Sequence, residues 1–197
     1  MSRTFVAGPQ SGGRPPAPGR LALVQALVNS HFDLAPGPER GADLWRTPTT
    51  LARWLDGRDL PSGRISRSDL ERAVSFREGL RARLAEHNDK VGDPTAEAGL
   101  RDAATGLSTG YAFASDRTTV PVPAGSGVAA ALGLVLAVVH EAQTVGTWRR
   151  LKACPGSDCG WVFYDTSRNA SSHWCSMDVC GGRQKSRAYR LRHRGES

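Results

Sequence analysis

The residues best suited to chemistry are four cysteines that fall close together near the end of the chain: Cys154, Cys159, Cys175 and Cys180. They form two pairs, each with four residues between its members, and fifteen residues separate the pairs. Short-range pairs joined by a longer segment are typical of tetrahedral zinc sites, in which each pair offers two sulfurs to one ion. The spacing therefore predicts zinc, and four thiolates would fill its shell, which favours a structural role.

Other roles for these cysteines would require a different compartment or different ligands. Two disulfides would need an oxidising compartment, which nothing in the sequence indicates. A catalytic zinc keeps an open position and usually mixes in histidine or carboxylate ligands. His173 lies two residues before Cys175 and is near enough in sequence to replace a thiolate, although packing or surface contact is the commoner role for such a histidine.

A run of cations follows the last cysteine. The chain carries a formal charge of +7, and residues 149–197 hold ten Lys and Arg against four Asp and Glu. Ser176 is predicted to cap a helix that ends near His193. Its cations recur at helical spacing in Arg183, Arg187, Arg190 and Arg194, with Lys185 beside them. Cations placed in this way suit a phosphate backbone. The alternative is a solvated helix that offsets the thiolate charge, which needs only about two cations.

The elements that must position this site are mostly helical. Residues 1–20, rich in Gly and Pro, are predicted to be disordered. Thr47 and Ser66 are predicted helix caps, and Ser66 has Asp69 three residues on as a capping-box partner. The predicted helices cover 21–30, 47–57, 66–87, 95–107 and 129–145, and a β-hairpin covers 110–122. The fold class is therefore α+β, with a mostly helical domain over 21–148 and a zinc module over 149–197.

Composition excludes some classes of protein. Hydrophobic residues make up 39% and charged residues 23% of the chain, which is typical of a globular protein. The longest apolar run, residues 128–139, falls short of the roughly 20 residues that span a bilayer, so we expect a buried helix and no membrane contact. No secretory signal is visible, and we expect a cytoplasmic protein.

The stretch from Leu151 to Arg190 resembles the CGNR zinc-finger family. The resemblance rests on the four cysteines, on the segments Phe163–Asn169 and Trp174–Met177, and on Cys180–Arg183. The chain departs from the family at Gly182, where the family usually has Asn. The resemblance implies a small treble-clef-like zinc finger with a C-terminal helix. It also implies contacts with DNA, for which the candidates are Arg168, which precedes that helix, and Arg183, Lys185, Arg187, Arg190 and Arg194.

The upstream segments resemble the ABATE domain, which usually precedes this finger in stress-related transcription regulators. The resemblance implies that residues 21–148 bind an unknown small ligand. Asn29 matches a recurring Asn of the family pattern and is a candidate ligand contact. Arg77 is a second candidate, because it sits among apolar helix residues and a buried arginine needs an anionic partner. That partner is either a ligand or, more commonly, an internal Asp or Glu.

The sequence thus predicts a DNA-binding transcription regulator with an N-terminal ligand sensor. Binding of RNA or protein through the same basic helix is the alternative, although only Tyr189 accompanies the basic run, which disfavours stacking on single strands. An enzyme with a structural zinc is a further alternative. The sequence shows no nucleophile elbow, P-loop, dinucleotide fingerprint or HExxH motif, and we predict no catalytic activity.

Overall fold

The computed structural model describes residues 10–32 and 42–186. This part of the chain forms helices α1 (Leu21–Val28), α2 (Pro48–Asp56), α3 (Arg67–Glu86), α4 (Pro94–Ala104) and α5 (Gly127–Thr144), and strands β1 (His31–Phe32), β2 (Ala42–Asp43), β3 (Thr109–Phe113), β4 (Thr119–Pro123), β5 (Leu151–Ala153) and β6 (Val162–Tyr164). The strands pair antiparallel in order, β1 with β2, β3 with β4 and β5 with β6. The predicted α+β class is confirmed.

Helices α2, α3 and α4 begin where a side chain can accept hydrogen bonds from their first amide groups. Thr47 and Thr50 exchange side-chain and backbone hydrogen bonds at the start of α2. Ser66 and Asp69 form the predicted capping box of α3. Asp93 caps α4, whose first residue is a proline. Local residue chemistry therefore sets these three starts.

The core forms where α5 packs against α1 and α3. By length and composition alone α5 could cross a membrane, but half of it is buried inside the protein, as in a core helix. Helix α4 lies against α3 at Gly79, where an added Cβ would come 2.4 Å from the Cβ of Leu100. A glycine at this position therefore allows the two helices to approach closely.

The cysteine-bearing region shares this core. Leu151 of β5 and Val162 of β6 are fully buried and belong to the same apolar cluster as α1 and α5. Strand β5 also packs on α3. The boundary expected between residues 148 and 149 thus lies inside one continuous core.

The N-terminal segment differs from the expected disorder. Residues 10–20 are ordered against the rest of the chain, with a 3-10 turn at Ser11–Gly13 and a buried Ala17. The Ala17 amide donates to Oε1 of the buried Gln25 over 2.8 Å, and the Ala17 side chain belongs to the apolar core. Residues 1–9 lie outside the described part of the chain.

Candidate metal centre

The four cysteines meet at one point. Their sulfurs all lie within 4.8 Å of one another, and three of the residues are buried. The sulfur of Cys175 is 3.6 Å from that of Cys159 and 3.5 Å from that of Cys180. Tetrahedral coordination with metal–sulfur bonds of about 2.3 Å places sulfurs about 3.8 Å apart. The cluster therefore fits a four-thiolate metal ion, and all four cysteines are free rather than joined in disulfides.

The first pair sits on a tight turn between β5 and β6. The Cys154 amide donates to the Trp161 carbonyl over 2.8 Å, and the Cys159 amide donates to the Gly156 carbonyl over 3.2 Å. A Cβ on Gly156 would come 3.2 Å from the Cβ of Cys159, and Gly160 has a positive φ of 58°. These two glycines let the backbone fold closely around the sulfurs.

The second pair begins a helix. Cys175 precedes Ser176, whose hydroxyl accepts the Val179 amide as an N-cap, and Cys180 lies in the π-helical turn Met177–Gly181. Helical backbone continues over 182–186. In a regular α-helix Met177 would share a face with Cys180, yet its exposed fraction is 53%. The wider π turn changes the spacing of residues around the helix axis, so the two side chains do not share a face.

Contacts among the four thiols shift their pKa values in opposite directions. Hydrogen bonds from Cys159 and Cys175 lower the pKa of Cys154, because they stabilise its thiolate. The same hydrogen bond raises the pKa of Cys159, and burial raises that of Cys180. One thiolate thus opposes ionisation of its neighbours. A divalent cation at the centre removes this opposition, and a four-thiolate donor set suits zinc.

His173 does not join the cluster. Its side chain is exposed, and the cluster found among the described residues contains only the four cysteines. The His173 carbonyl instead accepts a hydrogen bond of 2.7 Å from the amide of Asn88, at the end of α3. The histidine therefore marks the point at which the loop before Cys175 is tied to the helical core.

A buried ion pair anchors the loop that follows β6. Lys152 donates to Asp165 Oδ2 over 3.0 Å, and both side chains are almost fully buried. Burial opposes the charge of Asp165, but hydrogen bonds from Ser167 and Lys152 lower the pKa of that carboxyl. Lys152 also donates to the carbonyls of Ala170 and Ser172. The pair thus closes the loop of residues 165–172.

Three of the candidate nucleic-acid contacts lie in the described chain. Arg168 is exposed on the anchored loop, and Arg183 and Lys185 are exposed on the helix that follows Cys180. Other cations of this region are used internally, since Arg150 donates to the carbonyls of Asp165 and Ser167. The predicted contacts Arg187, Arg190 and Arg194 lie outside the described residues.

The candidate ligand residue Asn29 holds the finger in place instead. Its side-chain amide donates to the Val162 carbonyl over 2.8 Å and its oxygen accepts the Val162 amide over 2.7 Å. The side chain thus pairs with the backbone of β6 as a neighbouring strand would. Because both polar ends of the side chain are used, Asn29 links α1 to the zinc module.

The second candidate, Arg77, has internal anionic partners. Its guanidinium donates twice to Asp43, each time over 2.8 Å, and once to Glu78, and it lies over the Trp45 ring. Glu78 follows Arg77 directly and projects from another face of α3, yet its Oε1 lies 2.8 Å from Arg77 Nε. Burial works against the charge of Asp43, but Arg77 lowers the pKa of that carboxyl. This network satisfies the arginine without a ligand.

Sequence reasoning missed Arg81, one helical turn after Arg77. Arg81 is buried and donates to the carbonyls of Val28, His31 and Gly160, the last of which lies beside the second cysteine. Arg77 and Arg81 lie four residues apart on an otherwise apolar face of α3, and this spacing indicates a pair of buried cations. Arg81 also donates to Glu78, three residues before it, over 2.8 Å. Its other partners are backbone carbonyls, which carry no sequence signature.

Two family models match the chain. The model of the CGNR zinc finger matches residues 150–193. The ABATE model, whose description reads "Putative stress-induced transcription regulator", matches residues 19–152, which is more than half of the chain. No curated protein matches it. Both families and their order along the chain agree with the predicted resemblance.

Proposed function

Because the chain belongs to the ABATE family and ends in a CGNR zinc finger, we propose that it is a DNA-binding transcription regulator of the cytoplasm. Zinc at the four cysteines fixes the start of the C-terminal helix, and the cations of that helix meet the phosphates of duplex DNA. Reduced cysteine ligands suit such a compartment. The family description names regulators rather than enzymes, and we propose no catalytic role.

One observation carries this proposal: exposed cations lie close to the four-cysteine cluster. Arg183 follows Cys180 by three residues, and Lys185 lies two residues further along. Arg168 is presented by a loop that the buried Lys152–Asp165 pair holds closed. A rigid metal centre and an anchored loop limit the conformational freedom that these side chains lose on binding.

Salt dependence tests the proposal. Fluorescence anisotropy with duplex DNA at several salt concentrations should give a steep slope, to which each phosphate contact adds about 0.9. The Arg183→Ala/Lys185→Ala variant should reduce that slope by about 1.8, whereas Arg64→Ala, which removes an exposed cation before α3, should leave it unchanged. Absence of duplex binding at low salt would refute DNA docking. Tighter binding of duplex RNA would favour the RNA alternative.

A sensor function of the N-terminal domain is supported by a different observation. A cavity of about 640 Å³ lies between α3, α4 and α5, and its lining includes the apolar Leu100 and Val139 together with His87 and Trp148. Its size is typical of small-molecule sites. His87 Nδ1 lies 2.8 Å from the carbonyl of Leu151, which opens the strand leading to Cys154. We propose that a small ligand here changes how the finger is presented.

A screen by thermal shift tests this sensor. A compound that raises the melting temperature of the wild type, but not that of a variant with Ala104→Trp in the cavity wall, binds at this site. The sensor requires that the same compound alter DNA affinity, because binding must differ between two states of the protein. Unchanged DNA affinity would remove the sensor proposal and leave the DNA proposal intact.

A further inference from the structure

The first described residues of the chain lie across the metal centre. We call residues 10–17 the N-terminal strap. Gln25 of α1 is fully buried and holds both ends of the strap, because its oxygen accepts the Ala17 amide and its amide donates to Gln10 Oε1, each over 2.8 Å. The same amide also reaches the Val162 carbonyl in β6. One buried side chain thus ties the strap to the helical core and to the finger.

Arg14 connects the strap to the backbone around the third cysteine. Its Nε donates to the Cys175 carbonyl over 3.0 Å and its Nη2 donates to the Trp174 carbonyl over 3.1 Å. The guanidinium also lies 4.9 Å from the centre of the Phe163 ring. These contacts fix Arg14 on three sides and hold the peptide that carries the Cys175 ligand.

Gly12 extends these contacts toward the basic helix. Gly12 has a φ of 69°, and a Cβ there would come 3.0 Å from the Cβ of Ser176, which caps the helix carrying Cys180. The close approach and the positive φ both require glycine.

We propose that the N-terminal strap is an outer layer of the metal centre, and that Arg14 is the positioning residue that holds the Cys175 ligand in place. A four-thiolate centre around a divalent ion carries a double negative charge, so a cation beside Cys175 also offsets part of that charge. Groups of this outer layer typically change metal affinity by about 10-fold to 100-fold. The strap lies before both regions that the family models match, residues 19–152 and 150–193.

Metal release tests the proposal on the full-length protein. The zinc-loaded wild type and variants are mixed with the chelator 4-(2-pyridylazo)resorcinol, and the rate of zinc transfer is measured. Arg14→Ala should release zinc about 10-fold faster. Arg14→Lys should lie between the two, because it keeps the charge and loses the fork of two donors. Arg64→Ala, an exposed control, should release zinc at the wild-type rate.

Two further measurements separate positioning from misfolding. The cobalt-loaded Arg14→Ala protein should keep the absorption of a tetrahedral thiolate site, which shows that all four ligands still bind. Gly12→Ala, which presses on Ser176 without changing a ligand or a charge, should also release zinc faster.

The outcomes are distinct. Release from metal-loaded Arg14→Ala and Gly12→Ala at the wild-type rate overturns the role of the strap and leaves the metal centre intact. A wild-type protein that holds no stoichiometric metal overturns the metal centre and this inference together. Loss of DNA binding has no bearing on it, because the release assay contains no nucleic acid.

Discussion

The ion pair between Lys152 and Asp165 should contribute strongly to the stability of the finger. Lys152→Met keeps the length of the side chain and removes its ammonium group. Asp165, with no exposed surface, then keeps its hydrogen bonds from the Ser167 and Ser172 amides but loses its cation. Two loop carbonyls lose their donor at the same time. Breaking a buried pair on one side costs about 3–5 kcal/mol, and we expect a loss in this range.

Urea unfolding of the zinc-loaded proteins, followed by circular dichroism at neutral pH, measures this loss. Lys185→Met makes the same chemical change on an exposed lysine and should alter the free energy of unfolding by less than about 0.5 kcal/mol. The double variant Lys152→Met/Asp165→Asn should lose less than the sum of its single variants, because neither leaves the other with an unpaired charge. A loss under about 1 kcal/mol for Lys152→Met, or additivity in the double variant, would refute the reasoning.

Three other changes give separate tests. Gly79→Ala should destabilise the protein by about 1–3 kcal/mol, because the added Cβ has no room against α4. Its control is Gly99→Ala, whose Cβ would meet only one atom, at 4.0 Å, and which should be neutral or stabilising by up to about 1 kcal/mol. Urea titration measures the free energy of unfolding of both variants. Asn29→Ala should cost about 1–3 kcal/mol, since the buried Val162 amide loses its acceptor while the Val162 carbonyl keeps its hydrogen bond from Gln25. A shift of the melting temperature under 2 °C would contradict this. Burial lowers the pKa of His87, so the folded state binds fewer protons than the unfolded state. The free energy of unfolding should therefore fall as the pH drops below about 6.5. His87→Gln should make this pH dependence weaker, and an equal pH dependence in the variant would show that His87 is not its source.

Short-range features of this fold could be predicted from the sequence. The caps at Thr47 and Ser66 depend on residues three positions away, and the structure places both helix starts where the residue types predict them. The cysteine cluster also follows from local spacing, because each pair needs only a tight turn to bring two sulfurs together. Such features depend on chemistry within a few residues, which the sequence displays directly.

Long-range polar contacts could not be predicted in the same way. Asn29 binds the backbone of Val162, 133 residues along the chain, and any residue type offers the same amide and carbonyl. For Arg77 the need for an anion was predictable, but not its main partner Asp43, 34 residues before it. Backbone acceptors and distant carboxylates leave no periodic pattern in a single sequence.

The N-terminal strap shows a second reason why structure could not be predicted from the sequence. Its Gly and Pro content predicts disorder because such a segment buries little apolar area. The structure orders residues 10–17 through polar contacts instead, in which Arg14 and Ala17 donate to groups that are already fixed by the core and the finger. Composition describes the segment alone, whereas its order depends on acceptors supplied by the rest of the chain.

These contacts also decide how a signal in the helical domain could reach the finger. Asn29 and Gln25 hold β6 from α1, and Arg81 and Asn88 hold the two cysteine turns from α3 and its end. The finger therefore has little freedom to swing on a linker. A ligand between α3, α4 and α5 would act by shifting α3 itself, because every displacement of that helix moves the backbone acceptors beside Cys159 and Cys175. These hydrogen bonds would carry the coupling between the ligand and the finger. The coupling free energy cannot exceed the sum of their contributions to stability, about 0.5–1.5 kcal/mol each.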